Sequence, residues 1–251
     1  MNLRLMKTWF RRLTRAWRVG RVRNNFSFAK SNLPVGGVHF GDLRRVTPIS
    51  EQWGYDRGLP IDRYYIERFL ARHSEDVRGR VLEIGDDSYT RRFGVGVVSK
   101  SDVLYVNEGN PKATIVADLT DANNIPSDEF DCIILTQTLH LIFNVRAAIA
   151  TLYRILCPGG VLLATFPGIT KISHREWSGS WFWGFTSSSA RKLFEEAFPP
   201  ASIQIESYGN VLSAMSFLTG IAVEELSRDE LDYFDADYEV SITVRAMKPL
   251  S

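Results

Sequence analysis

Two histidines stand where an imidazole could take a proton from a bound molecule. His140 closes the run Thr136-Gln137-Thr138-Leu139, which follows an apolar strand, and His174 sits beside Arg175 and Glu176. Imidazole titrates near pH 6.5 when unperturbed, so either residue could serve as a general base toward a hydroxyl group at neutral pH. Next to His174 come four large aromatics, Trp177, Trp181, Phe182 and Trp183. Aromatic faces stack on sugar rings and planar groups alike, and indole nitrogens donate hydrogen bonds. Trp177 and Trp181 are therefore candidate contacts for a ring-shaped compound, with Tyr64 closing the pocket from an N-terminal helix. The two cysteines, Cys132 and Cys157, provide neither a disulfide framework nor a zinc cluster; no metal site is expected, and a reducing compartment fits best. Gly94-x-Gly96 lacks the remainder of a dinucleotide fingerprint.

The elements that must position these groups follow from periodicity. Asp62 is placed to cap a helix with Tyr65, Ile66, Phe69 and Leu70 on its apolar face. Strands are expected at 80–85, 103–106, 114–117, 131–135, 161–166, 203–207 and 240–246. Val145, Ala148, Ile149, Leu152 and Leu156 share one face of a helix that Pro158-Gly159-Gly160 should end. Further helices are expected at 187–198 and, largely, 212–226. Strands alternating with helices imply an α/β fold, a mostly parallel sheet of seven strands with helices on both faces. Ligands of such sheets bind outside the carboxyl ends of the strands, near the switch in strand order. That directs attention to the loops after Ile84, Val106, Ala117 and Leu135.

The 251 residues, 45% hydrophobic and 24% charged, suit a globular protein with a substantial core. No apolar run reaches the roughly 20 residues of a membrane-spanning helix. The net charge of +1 hides an asymmetry. Residues 1–45 contain eleven Lys/Arg and one acid, Asp42, whereas the remainder contains 19 Lys/Arg and 28 Asp/Glu. A basic, partly helical extension thus precedes an acidic domain at 46–251. Leu3, Met6, Phe10, Leu13 and Trp17 follow a helical spacing with arginines between them, a pattern that suits peripheral contact with an anionic membrane surface or packing of the aromatics on protein. Arginines break every candidate core of a secretory signal; a mitochondrial presequence shares the composition. The acidic domain does not continue the basic stripe, so nucleic acid is not an expected partner. A cytoplasmic protein is the expectation, with peripheral contact at the inner face of a membrane and packing of the arm on protein left as equal alternatives.

Four segments then occur in order: Val81-Leu82-Glu83-Ile84-Gly85, Ala117-Asp118-Leu119, Glu129-Phe130-Asp131-Cys132-Ile133-Ile134-Leu135, and Arg154-Ile155-Leu156-Cys157-Pro158-Gly159-Gly160-Val161-Leu162-Leu163. Together they resemble the class I S-adenosylmethionine-dependent methyltransferases of Rossmann-like fold, in particular the type 11 group. The stretch from Gly58 onward also looks like methyltransferases encoded beside bacterial glycosyltransferases. The resemblance implies S-adenosyl-L-methionine as cofactor and a small-molecule or glycan acceptor, with O-methylation of a sugar, a glycan intermediate or another small hydroxyl compound as the reaction. Glycan biosynthesis is the implied setting.

The resemblance also assigns residues. Gly85, with Asp86 after it, begins the loop that approaches the methionine part of the cofactor, and Glu83 orients that loop or reaches the cofactor amino group through water. Asp87 and Tyr89 stand where further glycines are usual; an aspartate tolerates positive φ better than most residues. Glu108, or Asn107 with a one-residue offset, faces the ribose hydroxyls. Asp118 and Leu119 flank adenine, and Gln137 touches cofactor or substrate. The family's histidine lies one place later than His140, where this chain has Leu141. Arg63 is expected near the cofactor carboxylate. The departures at 87, 89 and 140 keep open a second reading, a catalytically silent module of the same fold that binds a partner protein.

Overall fold

A computed structural model describes residues 33–177 and 179–250. The chain divides into two units, Met1–Arg44 and Arg45–Ser251. The basic helix expected near the start lies outside the described residues. In the first unit, Gly41–Leu43 forms one 3-10 turn, and the Arg44 guanidinium lies 5.5 Å from the centre of the Phe40 ring.

The second unit is built on seven strands: β1 (Gly79–Ile84), β2 (Val98–Tyr105), β3 (Ile115–Val116), β4 (Phe130–Thr136), β5 (Leu156–Pro167), β6 (Ile203–Tyr208) and β7 (Ser241–Met247). Their order is β3-β2-β1-β4-β5-β7-β6, with β7 antiparallel to both neighbours and the β3-β2-β1-β4-β5 pairings parallel. The helices are α1 (Ile61–Arg72), α2 (Ser88–Phe93), α3 (Val145–Ile155), α4 (His174–Trp177), α5 (Ser187–Phe194), α6 (Val211–Thr219) and α7 (Arg228–Asp232). Ile133-Ile134-Leu135 and Leu162-Leu163-Ala164 are buried without interruption because both sheet faces are covered. On one face, Ala148, Ile149 and Leu152 of α3 and Ala190 and Phe194 of α5 pack on Leu82, Ile133 and Leu162. On the other, Ile66, Phe69 and Leu70 of α1 pack on Val81, Ile134 and Leu163. Ile61 and Tyr65 join Ala214, Phe217 and Leu231 in a third cluster.

Four boundaries of the expected helices differ in the structure. Asp62 does not cap α1: Pro60 holds the N-cap position without a side-chain bond, and Asp62 lies buried inside the first turn. Pro158-Gly159-Gly160 does not separate α3 from the next strand. β5 already begins at Leu156, and the register with β4 shifts between Phe130↔Leu156 and Cys132↔Val161. Gly159, at φ +80°, donates its N–H to the Lys248 carbonyl at 2.8 Å, so these residues form a bulge within the sheet. The helix expected over 212–226 ends at Thr219, since Gly220 adopts φ +76° and its N–H returns to Phe217 and Ser216. Ala222 then bridges Pro60, and the chain continues as a 3-10 turn, Val223–Glu225, before α7. The helix expected over 187–198 also stops early, at Phe194, followed by turns to Phe198.

Among the described residues no helix is long and apolar enough to cross a membrane. The connections run outward in opposite directions from β1 and β4, which are direct neighbours. A crevice outside the carboxyl ends of those two strands is where this architecture places a ligand.

Candidate functional site

The loop after β1 is fixed by side chains from three elements. Gly85 has φ +87°, and a Cβ built on it would meet nothing within 4 Å, so glycine is needed there for conformation and leaves open space above the loop. Its N–H donates to the Leu104 carbonyl at 3.0 Å, and its own carbonyl accepts from Asn110 Nδ2 at 2.6 Å. Asn110 was not among the expected site residues; the Asn110-Pro111 pair after β2 marks a turn but says nothing of a contact 25 residues back. Glu83, only 3% exposed, accepts from the N–H groups of Tyr89 (3.1 Å) and Thr90 (2.7 Å) and from the Thr90 hydroxyl (2.8 Å). The acid thus stitches β1 to the start of α2. Burial pushes its carboxyl up to about 7, against the lowering effect of the Thr90 and Tyr89 bonds.

Asp86 accepts from the Ser88 N–H and lies 3.9 Å from the Lys112 ammonium. Asp87 sits at φ −110° as the N-cap residue of α2 and pairs with Arg91, so its tolerance of positive φ is not called upon. Tyr89 turns its hydroxyl to Arg63 of α1, which donates to it at 3.2 Å and to the Tyr55 hydroxyl at 2.9 Å. Gly94 ends α2, returning its N–H to Thr90, and Gly96 turns into β2.

At the neighbouring strand ends, Asn107 and Glu108 are exposed in the turn after β2, and Asn107 accepts from the Gly109 N–H. Asp118 is exposed after β3; one oxygen accepts from both the N–H and the hydroxyl of Thr120, each at 2.8 Å. Leu119 turns its side chain into the core, so it offers a ligand its backbone only.

The loop after β4 carries the least satisfied polar groups. Gln137 has φ +48°, uncommon for a residue with a side chain, and its backbone N–H donates to the Thr165 carbonyl at 2.8 Å. Its Nε2 is buried with no hydrogen-bond partner. Three residues on, His140 is 3% exposed, and its Nδ1 is likewise buried and unpartnered. The Trp181 ring lies 4.4 Å from the imidazole, centre to centre, and the N–H groups of Phe182 and Trp183 both donate to the His140 carbonyl. Burial lowers the imidazole pKa to about 4, well below the 6.5 expected for an open histidine.

Farther out, Trp183 Nε1 donates to the Ile142 carbonyl at 3.0 Å, and Phe143 meets Phe182 and Trp183 ring to ring. Lys171 lies over the Trp53 ring and Arg175 pairs with Glu51, tethering this loop to the segment before α1. His174 and Trp177, at the two ends of α4, are exposed. Tyr64 is held elsewhere: its hydroxyl donates to Asp232 of α7 at 2.6 Å and accepts from Arg68. A cavity of about 160 Å³ between Tyr65, Arg68, Tyr208 and Asp232 lies at the end of β6, away from the β1–β4 crevice. Its charged groups, Arg68 and Asp232, pair with each other. Among the described residues no three His, Cys, Asp or Glu side chains converge as metal ligands.

A family model described as a methyltransferase domain matches residues 96–164. A curated protein, probable polyketide synthase 5 of Dictyostelium discoideum, is 29% identical over 101 residues; the match covers 39% of this chain and 4% of that protein. Among solved structures, the [4+2]-cyclase SpnF superposes with a TM-score of 0.50 at 16% identity, covering 75% of this chain and 82% of that one. This likeness concerns the fold. The N-methyltransferase NodS of Bradyrhizobium japonicum in complex with S-adenosyl-L-homocysteine gives 0.47 at 16% identity, over 77% of this chain and 90% of that one.

Proposed function

We propose that this chain is a class I S-adenosylmethionine-dependent methyltransferase and that it methylates a hydroxyl group of a sugar, a glycan intermediate or another small ring compound. The observation that supports this reading is the His140 imidazole, buried at the carboxyl end of β4 with an unpartnered Nδ1 and covered by Trp181. A buried nitrogen without a partner costs free energy unless a ligand satisfies it, and the neutral imidazole keeps a lone pair toward which an acceptor hydroxyl can donate, as a weaker base than an open histidine.

The residues present suit the cofactor. Gly85 leaves open space above the first loop, Gln137 Nε2 is an unsatisfied donor, and Asp118 and Glu108 offer exposed carboxylates at the ends of β3 and β2. When bound, S-adenosyl-L-methionine supplies an electrophilic methyl group on a sulfonium. The chain's share is to align the acceptor oxygen, exclude water with the aromatic loop, and receive the proton at His140. The excess of acids after residue 45 disfavours a long acidic polymer as acceptor.

Two measurements test the reading. Formation of S-adenosyl-L-homocysteine with a panel of simple glycosides should exceed that with amines and carboxylic acids; methylation confined to amines would overturn the hydroxyl assignment. Asp118→Ala should weaken cofactor binding by roughly 1–3 kcal/mol through a lost charge-assisted hydrogen bond. Unchanged affinity in calorimetry would remove Asp118 from the site.

The basic segment at 1–25 is proposed to attach the enzyme reversibly to an anionic membrane surface on the cytoplasmic side. Its deletion should abolish salt-sensitive binding to anionic vesicles and leave turnover of a soluble acceptor intact. Vesicle binding that survives the deletion would count against this role.

A further inference from the structure

The two edges of the sheet are built differently. β3 ends one side with two residues, Ile115–Val116, too short to template another strand. β6 ends the other side with six, Ile203–Tyr208, and its register with β7 runs from Ile203↔Ala246 to Tyr208↔Ser241 without a shift. Among the described residues no strand pairs with its outer side. Long edges are normally blunted by proline, lysine, a bulge or a covering element. β6 has no proline, lysine or bulge, and its one charge, Glu206, is taken up by Arg72 and the Tyr208 hydroxyl.

A groove follows this edge. A cavity of about 350 Å³ is lined by Ile205, Glu206 and Ser207, by Ser187 at the start of α5, and by Phe234. Consecutive strand residues point to opposite faces; α5 covers one face, and Phe234 follows α7 on the other. Only a cavity on the edge itself can touch all of these. The cavity of about 160 Å³ continues it, sharing Ser207 and Phe234 and adding Tyr208 and Gly209. Phe234, 55% exposed, leaves a large ring facing solvent beside the strand.

The rim is acidic. Arg68 and Arg72 are engaged by Asp232 and Glu206. Residues 229–239 add Asp229, Glu230, Asp235, Asp237 and Glu239 and contain no Lys or Arg. Asp235 is fixed at the end of the groove, where its N–H donates to the Gly209 carbonyl at 2.9 Å.

We propose that the outer edge of β6 takes an extended, basic segment of a partner protein as an added strand. The main chain of that segment pairs with the outward N–H and C=O groups of Ile203–Tyr208, and its Lys or Arg side chains meet the acids of 229–239. Backbone pairing supplies affinity, Phe234 an apolar contact, and the acidic rim the choice of partner charge. β5 and β7 separate this edge from β4, so the site is independent of the methyltransferase reading.

The test titrates the full-length protein with a fluorescein-labelled hexapeptide, Lys-Val-Lys-Val-Lys-Val, followed by fluorescence anisotropy. Replacing its lysines with glutamates should weaken binding at least about 10-fold at low salt, and less at high salt. The amides of an extended peptide alternate between its two edges, so N-methylation of the valine amides and of the lysine amides should differ. One form should lose roughly 10-fold or more, and the other stay within about threefold. Phe234→Ala should weaken binding roughly 10-fold, and Asp237→Lys in the same direction, with Tm unchanged because both side chains face solvent. Equal binding of the two N-methylated forms overturns strand addition, and equal binding of the lysine and glutamate peptides overturns the basic partner. Unchanged affinity in Phe234→Ala removes the peptide from this groove. A dimer of the free protein that Phe234→Ala dissociates would give the edge to a second copy of the chain and overturn the proposal as well.

Discussion

Replacing His140 with alanine is expected to lower turnover by roughly 10²–10⁴-fold, the usual contribution of a general base, while S-adenosyl-L-homocysteine affinity stays near wild type. The accompanying pH profile distinguishes this base from an ordinary histidine. Burial puts the His140 pKa at about 4, so the imidazole is already deprotonated throughout the neutral range. Turnover that depends on His140 should rise near pH 4 and then stay level through pH 6.5, where an open histidine would titrate. Exposed His174, at the start of α4, should tolerate alanine with little loss. An inflection near 6.5 that vanishes in His174→Ala would transfer the role to His174. Full turnover in both variants would leave alignment of the acceptor, without histidine, as the source of rate.

The parts of this fold that are set by local pattern could be read from the sequence. Ile133-Ile134-Leu135 and Leu162-Leu163-Ala164 announce strands covered on both faces, and Val145 to Leu152 announces an amphipathic helix. The positions of Gly85, Asp118 and His140 follow because each lies just beyond a strand end. What stayed hidden depends on contacts distant in sequence. His140 is buried by Trp181, 41 residues later, and no local pattern around a histidine reports that its pKa will fall. Arg63 and Tyr89 meet across 26 residues, and Asn110 reaches Gly85 across 25. Tyr64 illustrates a finer limit: neighbours on a helix point about 100° apart, so a one-residue step decides whether a side chain meets α7, as Tyr64 does, or the β1 loop, as Arg63 does. Asp62 was legible as a helix-start residue, but Pro60 takes the N-cap position and turns Asp62 inward.

Glu83 provides the second large expectation, a stability difference that depends on pH. Its carboxyl titrates at about 7 in the folded protein, chiefly because it is buried, against 4.5 when unperturbed. Between those values the folded state keeps a proton that the unfolded chain has lost, so this group's contribution to stability falls as pH rises through the window. The full interval corresponds to at most about 3 kcal/mol. His140 works in the opposite sense. Its depressed pKa means the unfolded chain binds the extra proton, so its contribution rises with pH between about 4 and 6.5. Where the windows overlap, the two largely cancel, and wild-type melting curves alone would hide both. Glu83→Gln separates them, because the amide oxygen can still accept from the Thr90 N–H without acquiring charge, and the loss of the Tyr89 bond, which goes to the other oxygen, is the same at every pH. Relative to wild type, the variant should gain roughly 2–3 kcal/mol between pH 5 and pH 8, or several degrees in Tm for a domain of this size. Thermal unfolding followed by circular dichroism at the two pH values measures it. If the difference in Tm between variant and wild type is the same at both, Glu83 is ionised in the folded protein at low pH. The hydrogen bonds from Tyr89 and Thr90 would then outweigh its burial.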